Sequence, residues 1–249
     1  MCVAIITMAG VSSRFNEGQG KKILKGIYFE ESPKQTLLYS ILRKCSGCKK
    51  VVLVGGYQYE NLNGYVDGCR NEFPFEIEVV YNSFYERYGS GYSLRKGLER
   101  CFSRKEFSNI ILIEGDLYFD SESFEQIRKS ELNCITYNYQ PIFSNKAVIA
   151  YMDKMERIRY AFNVTHGLLQ ISEPFSMVIN SGQIWKFADV DRVEWMLSGM
   201  DEKEWQGTNL VFIEKYFEGI SKEKIGFFGL KEWENCNTRE DYRKNKNKL

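Results

Sequence analysis

The chain has 249 residues, 43% hydrophobic and 27% charged, so it can bury a core without disulfides or a structural metal. Its 34 Lys and Arg against 33 Asp and Glu leave a net charge of +1, which argues against broad nucleic-acid binding. The single histidine, His166, excludes multi-histidine zinc sites and sites that set paired histidines on phosphate, and no G-x-S-x-G elbow occurs.

The chain opens on "MCVAIITMAG". It lacks a basic n-region and turns polar by Ser12, so it reads as a buried first strand and not a signal peptide. Apolar runs at Cys2–Thr7, Lys50–Val54, Ile77–Tyr81 and Ile110–Ile113 predict buried parallel strands. Amphipathic stretches at about 34–44, 58–70 and 91–102 predict helices between them. This alternation implies right-handed βαβ units and a sheet covered on both faces. Cys45 and Cys48 form a CxxC that closes the first helix with no second pair at matched spacing, so the seven cysteines read as reduced thiols of a cytoplasmic protein.

After Asp116 the pattern changes. A helix is predicted at about 121–130, then half-exposed antiparallel strands within 134–143, 146–152 and 157–162. A strand at 174–180 and helices near 181–198 and 203–217 follow, and the basic tail 242–249 reads as a frayed helix end. The fold class expected is α/β: a Rossmann-like three-layer sandwich with a mostly parallel central sheet and a small inserted antiparallel lobe. One domain spans 1–249, and no stretch approaches the 18 apolar residues of a membrane span.

Chemistry can sit at four places. In "MAGVSSRFNEGQGKK", Met8, Ala9, Gly10, Ser12 and Ser13 form a small-residue turn after a strand, followed by Arg14, Lys21 and Lys22. Backbone N–H groups of such a turn approach phosphates and the cations neutralise them. It is neither a P-loop nor a dinucleotide fingerprint, and a solvated polar loop is an equal reading of the residues alone. In "YNSFYERYGSGYSLRKGL", Gly89 and Gly91 permit φ > 0 and close approach of a flat ring, and Ser90 or Ser93 can read a base edge. An ordinary Gly-rich helix start is the plainer reading there. In "IILIEGDLYFD", Asp116 ends an apolar strand, a place suited to Mg²⁺ on phosphates, with Glu114 and Asp120 as nearby alternatives; Asp120 or Ser121 suits a helix cap better. In "WENCNTREDYRK", Thr238 and Asp241 have capping-box spacing.

These motifs, in this order, resemble those of the sugar-nucleotide and MobA-like nucleotidyltransferases, closest in pattern to phosphocholine-type cytidylyltransferases. "MAGVSSRF" resembles the family's "MAGxGSRF" loop, with Ser12 replacing a glycine and Lys22 the best match to the lysine of its "PK" step. "NSFYERYGSGYSL" is similar to "NPxYxxTNxxxSL", which adds Asn82 to the nucleotide residues. "NCNT" resembles the closing "NINT" or "EIDT", so Asn235 and Asn237 stand where two acids complete a metal site in some members. "SMVINSGQIWKF" resembles a family strand that sets Asn180, Ser181 and Gly182 near the acceptor.

The resemblance implies a nucleotide-binding half, 1–115, and an acceptor-binding half, 120–230. It implies transfer of a nucleotidyl group from an NTP, with CTP favoured, to a small phosphorylated acceptor such as phosphocholine, releasing pyrophosphate. Lys22 and Arg14 would act on the phosphates, and Mg²⁺ would sit on Asp116 with Asn235 and Asn237. Tyr137, Tyr139, Trp185, Trp195 and Trp205 fall in the acceptor half and are candidates for an aromatic cage around a quaternary ammonium, though core or surface packing is commoner for each. A sugar 1-phosphate acceptor stays open. So do a nucleotide-sugar glycosyltransferase, whose D-x-D marker Asp189–Asp191 matches by letters, and a non-catalytic nucleotide-binding protein. The resemblance also suggests capsule or surface-polysaccharide biosynthesis.

Overall fold

The computed structural model describes residues 1–144, 147–162 and 169–249; His166 lies outside them. Strands β1 (Cys2–Met8), β2 (Lys50–Gly55), β3 (Glu76–Tyr81) and β4 (Asn109–Glu114) lie parallel in the order β4-β1-β2-β3. Every residue of β1 is buried, because both of its faces are covered and alternate side chains enter different cores. Ala4 and Ile6 pack with Leu38, Ile41 and Leu42 of helix α1 (Leu37–Lys44) and Leu62 and Val66 of α2 (Tyr59–Cys69). Val3 and Ile5 pack with Leu94, Leu98 and Cys101 of α3 (Ser90–Phe102). The expected three-layer sandwich is therefore observed, and the loops that follow β1 and β4 gather at the carboxyl ends of those strands, where sheets of this kind take ligands.

The second half extends the same sheet. β9 (Phe175–Phe187) runs antiparallel to β4, then come β6 (Asn133–Asn138) and β10 (Ile225–Leu230), parallel to each other. The hairpin β7 (Val148–Asp153) and β8 (Ile158–Phe162) pairs with the first part of β9, forming the inserted lobe. A separate ribbon joins β5 (Leu117–Phe119) to β11 (Trp233–Asn235). Helices α4 (Ser121–Lys129), α5 (Val190–Gly199), α6 (Glu202–Gln206), α7 (Asn209–Glu218) and α8 (Arg239–Asn245) complete the chain. Among the described residues no helix is long and apolar enough to cross a membrane, and all seven cysteines are free and buried.

Four expectations change. Residues 181–187 are strand, not helix, because β9 is buried on both faces from Asn180 to Phe187 and so shows no alternation. The helix expected at 203–217 is two, broken at Gly207 and Thr208, where the Gly207 carbonyl accepts from Gly91 N. β10 was not foreseen. The tail is packed: Tyr242 is fully buried, edge-on to Tyr28, and its hydroxyl donates to the Gln35 carbonyl at 2.9 Å.

Lys186 on β9 is only 2% exposed. Its ammonium donates to the carbonyls of Ile127 (3.2 Å), Arg128 (2.9 Å) and Ser130 at the C-terminus of α4, where a cation also meets the helix dipole. Burial pushes the Lys186 pKa down, so these acceptors are what keep a charge there. Lys186→Met should lower stability by about 1–3 kcal/mol in urea unfolding. An unchanged midpoint would show that the three bonds contribute nothing.

Candidate active site

The loop after β1 is folded back by its own side chains. Asn16 Nδ2 donates to the carbonyls of Ser12 (3.0 Å) and Ile23 (2.9 Å), and Asn16 Oδ1 accepts from Ile23 N at 2.9 Å. Phe15 is buried against Tyr28, which leaves Arg14 on the open side. Ser12 has φ 56°, the left-handed region that glycine prefers, so the substitution for a family glycine keeps glycine's backbone at some strain. Its hydroxyl accepts from Lys25 N at 3.3 Å. Gly26 follows, where a Cβ would displace the flexible end of Met8 and touch the Gly115 carbonyl at ordinary contact distance. The chain thus crosses the ends of β1 and β4, and Lys25 enters the cleft.

Lys25 Nζ donates to Asp116 Oδ2 at 2.6 Å and to Asn237 Oδ1 at 3.2 Å. Arg14 Nη2 donates to the same Asn237 oxygen at 2.9 Å. Asn237 is held by its helix: Thr238 caps α8 in a capping box with Asp241, whose Oδ2 also accepts from Asn237 N at 3.0 Å. Cys236 N donates to the Asp116 carbonyl at 2.8 Å, which fixes the final motif beside the end of β4.

Two pockets meet at this node. The first is lined by Met8, Ala9, Gly10, Ser12, Lys25, Gly89, Ser90, Ser93, Asp116, Glu114, Tyr85 and Tyr88. The second is lined by Arg14, Asn235, Asn237, Asn180, Gln183, Gln140, Phe143, Trp233 and Glu234. The structure therefore brings most of the sequence-predicted residues together, with exceptions. Lys21 and Lys22 are exposed and line neither pocket; the lysine in the cleft is Lys25, because the Asn16 staple ends at Ile23 and the chain turns inward only after it. Ser13 lines neither pocket, and Asn82 is buried behind the first, holding Ser93 by a 3.0 Å bond.

Gly89 does not have a positive φ; it is extended, at φ −73° and ψ −174°. Gly89 and Gly91 are required instead by the backbone of Trp205–Thr208, which leaves no space for a Cβ. Ser181 and Gly182 are tucked inside β9, with Gly182 against Thr136 and Leu230. Gln183, at φ 57°, takes their place at the pocket wall. Asp120 caps α4 through its 2.8 Å bond from Ser123 N. Asp189 caps α5 and Asp191 pairs with Lys105 on the surface, so the D-x-D letters form no site. Of the cage candidates, Trp185 and Trp205 are core residues, Trp195 and Tyr139 are exposed, and Tyr137 contacts Tyr139; none lines the second pocket, whose aromatics are Phe143 and Trp233.

Asp116 Oδ1 and Asn235 Oδ1 are buried without a hydrogen-bond partner. Two orphaned hard oxygens fit a divalent cation such as Mg²⁺ that draws its other ligands from phosphate and water. They do not make a protein cage: among the described residues no group of three or more His, Cys, Asp or Glu could hold a metal.

Residues 21–249 match a family described as a domain of unknown function, DUF6564. The chain belongs to that family. No curated protein matches it. In fold, this DUF6564 chain is similar to the inositol-1-phosphate CTP transferase from T. maritima, at 15% identity, TM-score 0.66, covering 96% of this chain and 90% of that one. HddC from Yersinia pseudotuberculosis, complexed with GMP-PN, is similar at 15% identity and TM-score 0.65, covering 100% and 99%. CTP:phosphocholine cytidylyltransferase (LicC) from Streptococcus pneumoniae is similar at 16% identity and TM-score 0.64, covering 100% and 99%. The expected nucleotidyltransferase fold is thus the fold of the DUF6564 chain.

Glu114 was named from the sequence only as an alternative to Asp116. It accepts from Asn209 Nδ2 at 2.6 Å and from Thr7 Oγ1 at 3.5 Å, and Asn209 in turn bonds Ser90. Burial, then the Asp116 charge, push its pKa up to about 7. The unfolded chain ionises this carboxyl first as pH rises, so stability falls from about pH 4.5 toward pH 7 and levels off above. Glu114→Gln should therefore match the parent protein at pH 5 and exceed it by on the order of 2 kcal/mol at pH 8 in chemical denaturation. A parallel pH dependence in the two proteins would rule this out.

Proposed function

We propose that this DUF6564 chain is a nucleotidyltransferase, joining an NTP to a small phosphorylated acceptor with release of pyrophosphate. The observation that carries the reading is the meeting of two pockets at one cation-rich node of Arg14, Lys25 and Asp116. An acceptor phosphate oxygen attacks the α-phosphorus as the bond to the β-phosphate oxygen breaks. Arg14 and Lys25 lie where they would neutralise charge on the reacting phosphates, and the reaction needs positioning and charge rather than a histidine. A magnesium ion held by Asp116 and Asn235 would add to that neutralisation.

In the first pocket, Tyr85 and Tyr88 supply flat surfaces and Ser90 and Ser93 supply hydroxyls for a base. CTP is the NTP favoured by the sequence resemblance. In the second pocket, Trp233 and Phe143 beside Glu234 suit a quaternary ammonium such as that of phosphocholine. A second reading, a sugar phosphate, is favoured by Gln140, Asn180 and Gln183 in the same wall, since amides match hydroxyl groups. An NTP substrate and reduced thiols suit the cytoplasm, and activation of a surface-polysaccharide precursor suits either acceptor.

Pyrophosphate release should appear with one of the four NTPs, Mg²⁺, and one acceptor from a panel of phosphocholine, phosphoethanolamine, inositol phosphate and sugar 1-phosphates. Asp116→Ala and Lys25→Ala should each slow it by ~10²-fold or more, while Lys22→Ala stays within about threefold of the parent, as expected for an exposed charge. A larger loss at Lys22 would return the role to that residue. Nucleotide binding without release across the panel would favour a non-catalytic binder.

A further inference from the structure

The Lys25 ammonium does more than line the cleft. It lies between Asp116 Oδ2 and Asn237 Oδ1, at 2.6 and 3.2 Å, the two oxygens that face each other across the node. Asn237 Oδ1 also accepts from Arg14, so both lone pairs of that amide oxygen are used by cations. Asp116 is the carboxylate of the pair that would hold a metal, because Asn235 is neutral and Asn237 Oδ1 is taken by the two cations. Its charge is already matched by Lys25, with both side chains about one-fifth exposed.

We infer that Lys25 acts as a built-in counter-ion that excludes a divalent cation from Asp116 until a nucleotide draws the ammonium away. The inference rests on the nucleotidyltransferase reading for its trigger, a triphosphate, but not for the exclusion itself. A divalent ion entering next to Asp116 and Asn235 would meet two resident positive charges at short range, in a partly buried site where screening is weak. A triphosphate reverses the balance: its oxygens give Lys25 and Arg14 new partners and bring further ligands for the metal. Asp116 Oδ1 and Asn235 Oδ1, buried and unpartnered, are the donors left waiting for it. Lys25 is thus a positioning residue for the metal as well as a contact for phosphate.

The test is titration of the whole protein with MnCl₂, following free Mn²⁺ by electron paramagnetic resonance, with no nucleotide present. The parent protein should show no site below millimolar Mn²⁺. Lys25→Met, which keeps length and removes charge, should gain one site at least tenfold tighter. Lys25→Arg should keep the block, and Asp116→Asn in the Lys25→Met background should abolish the gained site. Equal Mn²⁺ binding by the parent and Lys25→Met, whether tight or absent in both, overturns the proposal. Circular dichroism checks folding, and Lys25→Gln replaces Lys25→Met if the latter does not fold. A separate titration with a non-hydrolysable NTP and Mn²⁺ reports on the trigger. Failure of the parent to bind either NTP or the pair would sink the nucleotidyltransferase reading while leaving the Mn²⁺ result to stand on its own.

Discussion

A half-buried carboxylate at the end of a central strand must be balanced, and the fold brings one ammonium to it. Asp116 and Lys25 meet at 2.6 Å, although one sits in the turn after β4 and the other follows β1 by a long loop. Every local device in that loop serves the meeting. Asn16 staples its two ends, Ser12 accepts a left-handed backbone, and Gly26 lets the chain pass over the strand ends. Phe15, Tyr28 and Tyr242 form a small separate aromatic core that anchors the loop to the last helix. Arg239 lies over the Tyr28 ring at 4.7 Å and extends this anchor with a cation–π contact. The loop, the end of β4 and α8 are therefore one mechanical unit, closed by contacts between residues more than two hundred positions apart.

The second pocket follows from a different constraint. β9 crosses between the parallel half of the sheet and the pair β6 and β10, so it must satisfy neighbours on both edges while turning its first part toward β7. The register shifts between Ile135 and Tyr137, and Gln183 takes a left-handed backbone nearby. That irregularity turns a strand wall into a pocket wall. Gln183 there accepts from Asn235 Nδ2 at 3.1 Å, so the bend in β9 also orients a second-pocket residue two positions from Asn237. The two pockets share a boundary because one strand defect and one capped helix meet there.

The parallel half was legible because β1, β2 and β4 are buried on both faces and read as apolar runs, with only the edge strand β3 partly exposed. The capping box at Thr238 and the cap at Asp120 were legible because they are local. What the sequence hid was non-local. Which of Lys21, Lys22 and Lys25 enters the cleft depends on where the Asn16 staple ends and where Gly26 crosses β1, and neither is a property of the lysines. The signal available was Gly26 itself, a small residue directly after a lysine. Gly89 and Gly91 were read as sites of close approach, but to a ligand, whereas the approaching group is the α6–α7 junction. Residues 181–187 were read as helix because a strand buried on both sides loses the alternation that distinguishes it.

The neutral amides of the last motif are consistent with this division of labour. The bonds to Asn237 are already charge-assisted on the donor side, and an aspartate at position 237 would turn each into an ion pair and hold Arg14 and Lys25 more tightly. Each cation would then have to break an ion pair at position 237 before it could turn to a new partner. With Asn237 in that place, Arg14 is held there by an uncharged acceptor, while Lys25 keeps its ion pair to Asp116. The same exchange leaves Asp116 as the carboxylate of the node, already paired with Lys25 at 2.6 Å. The amide thus joins the two cations without neutralising either, and Asp116 supplies the charge that answers Lys25.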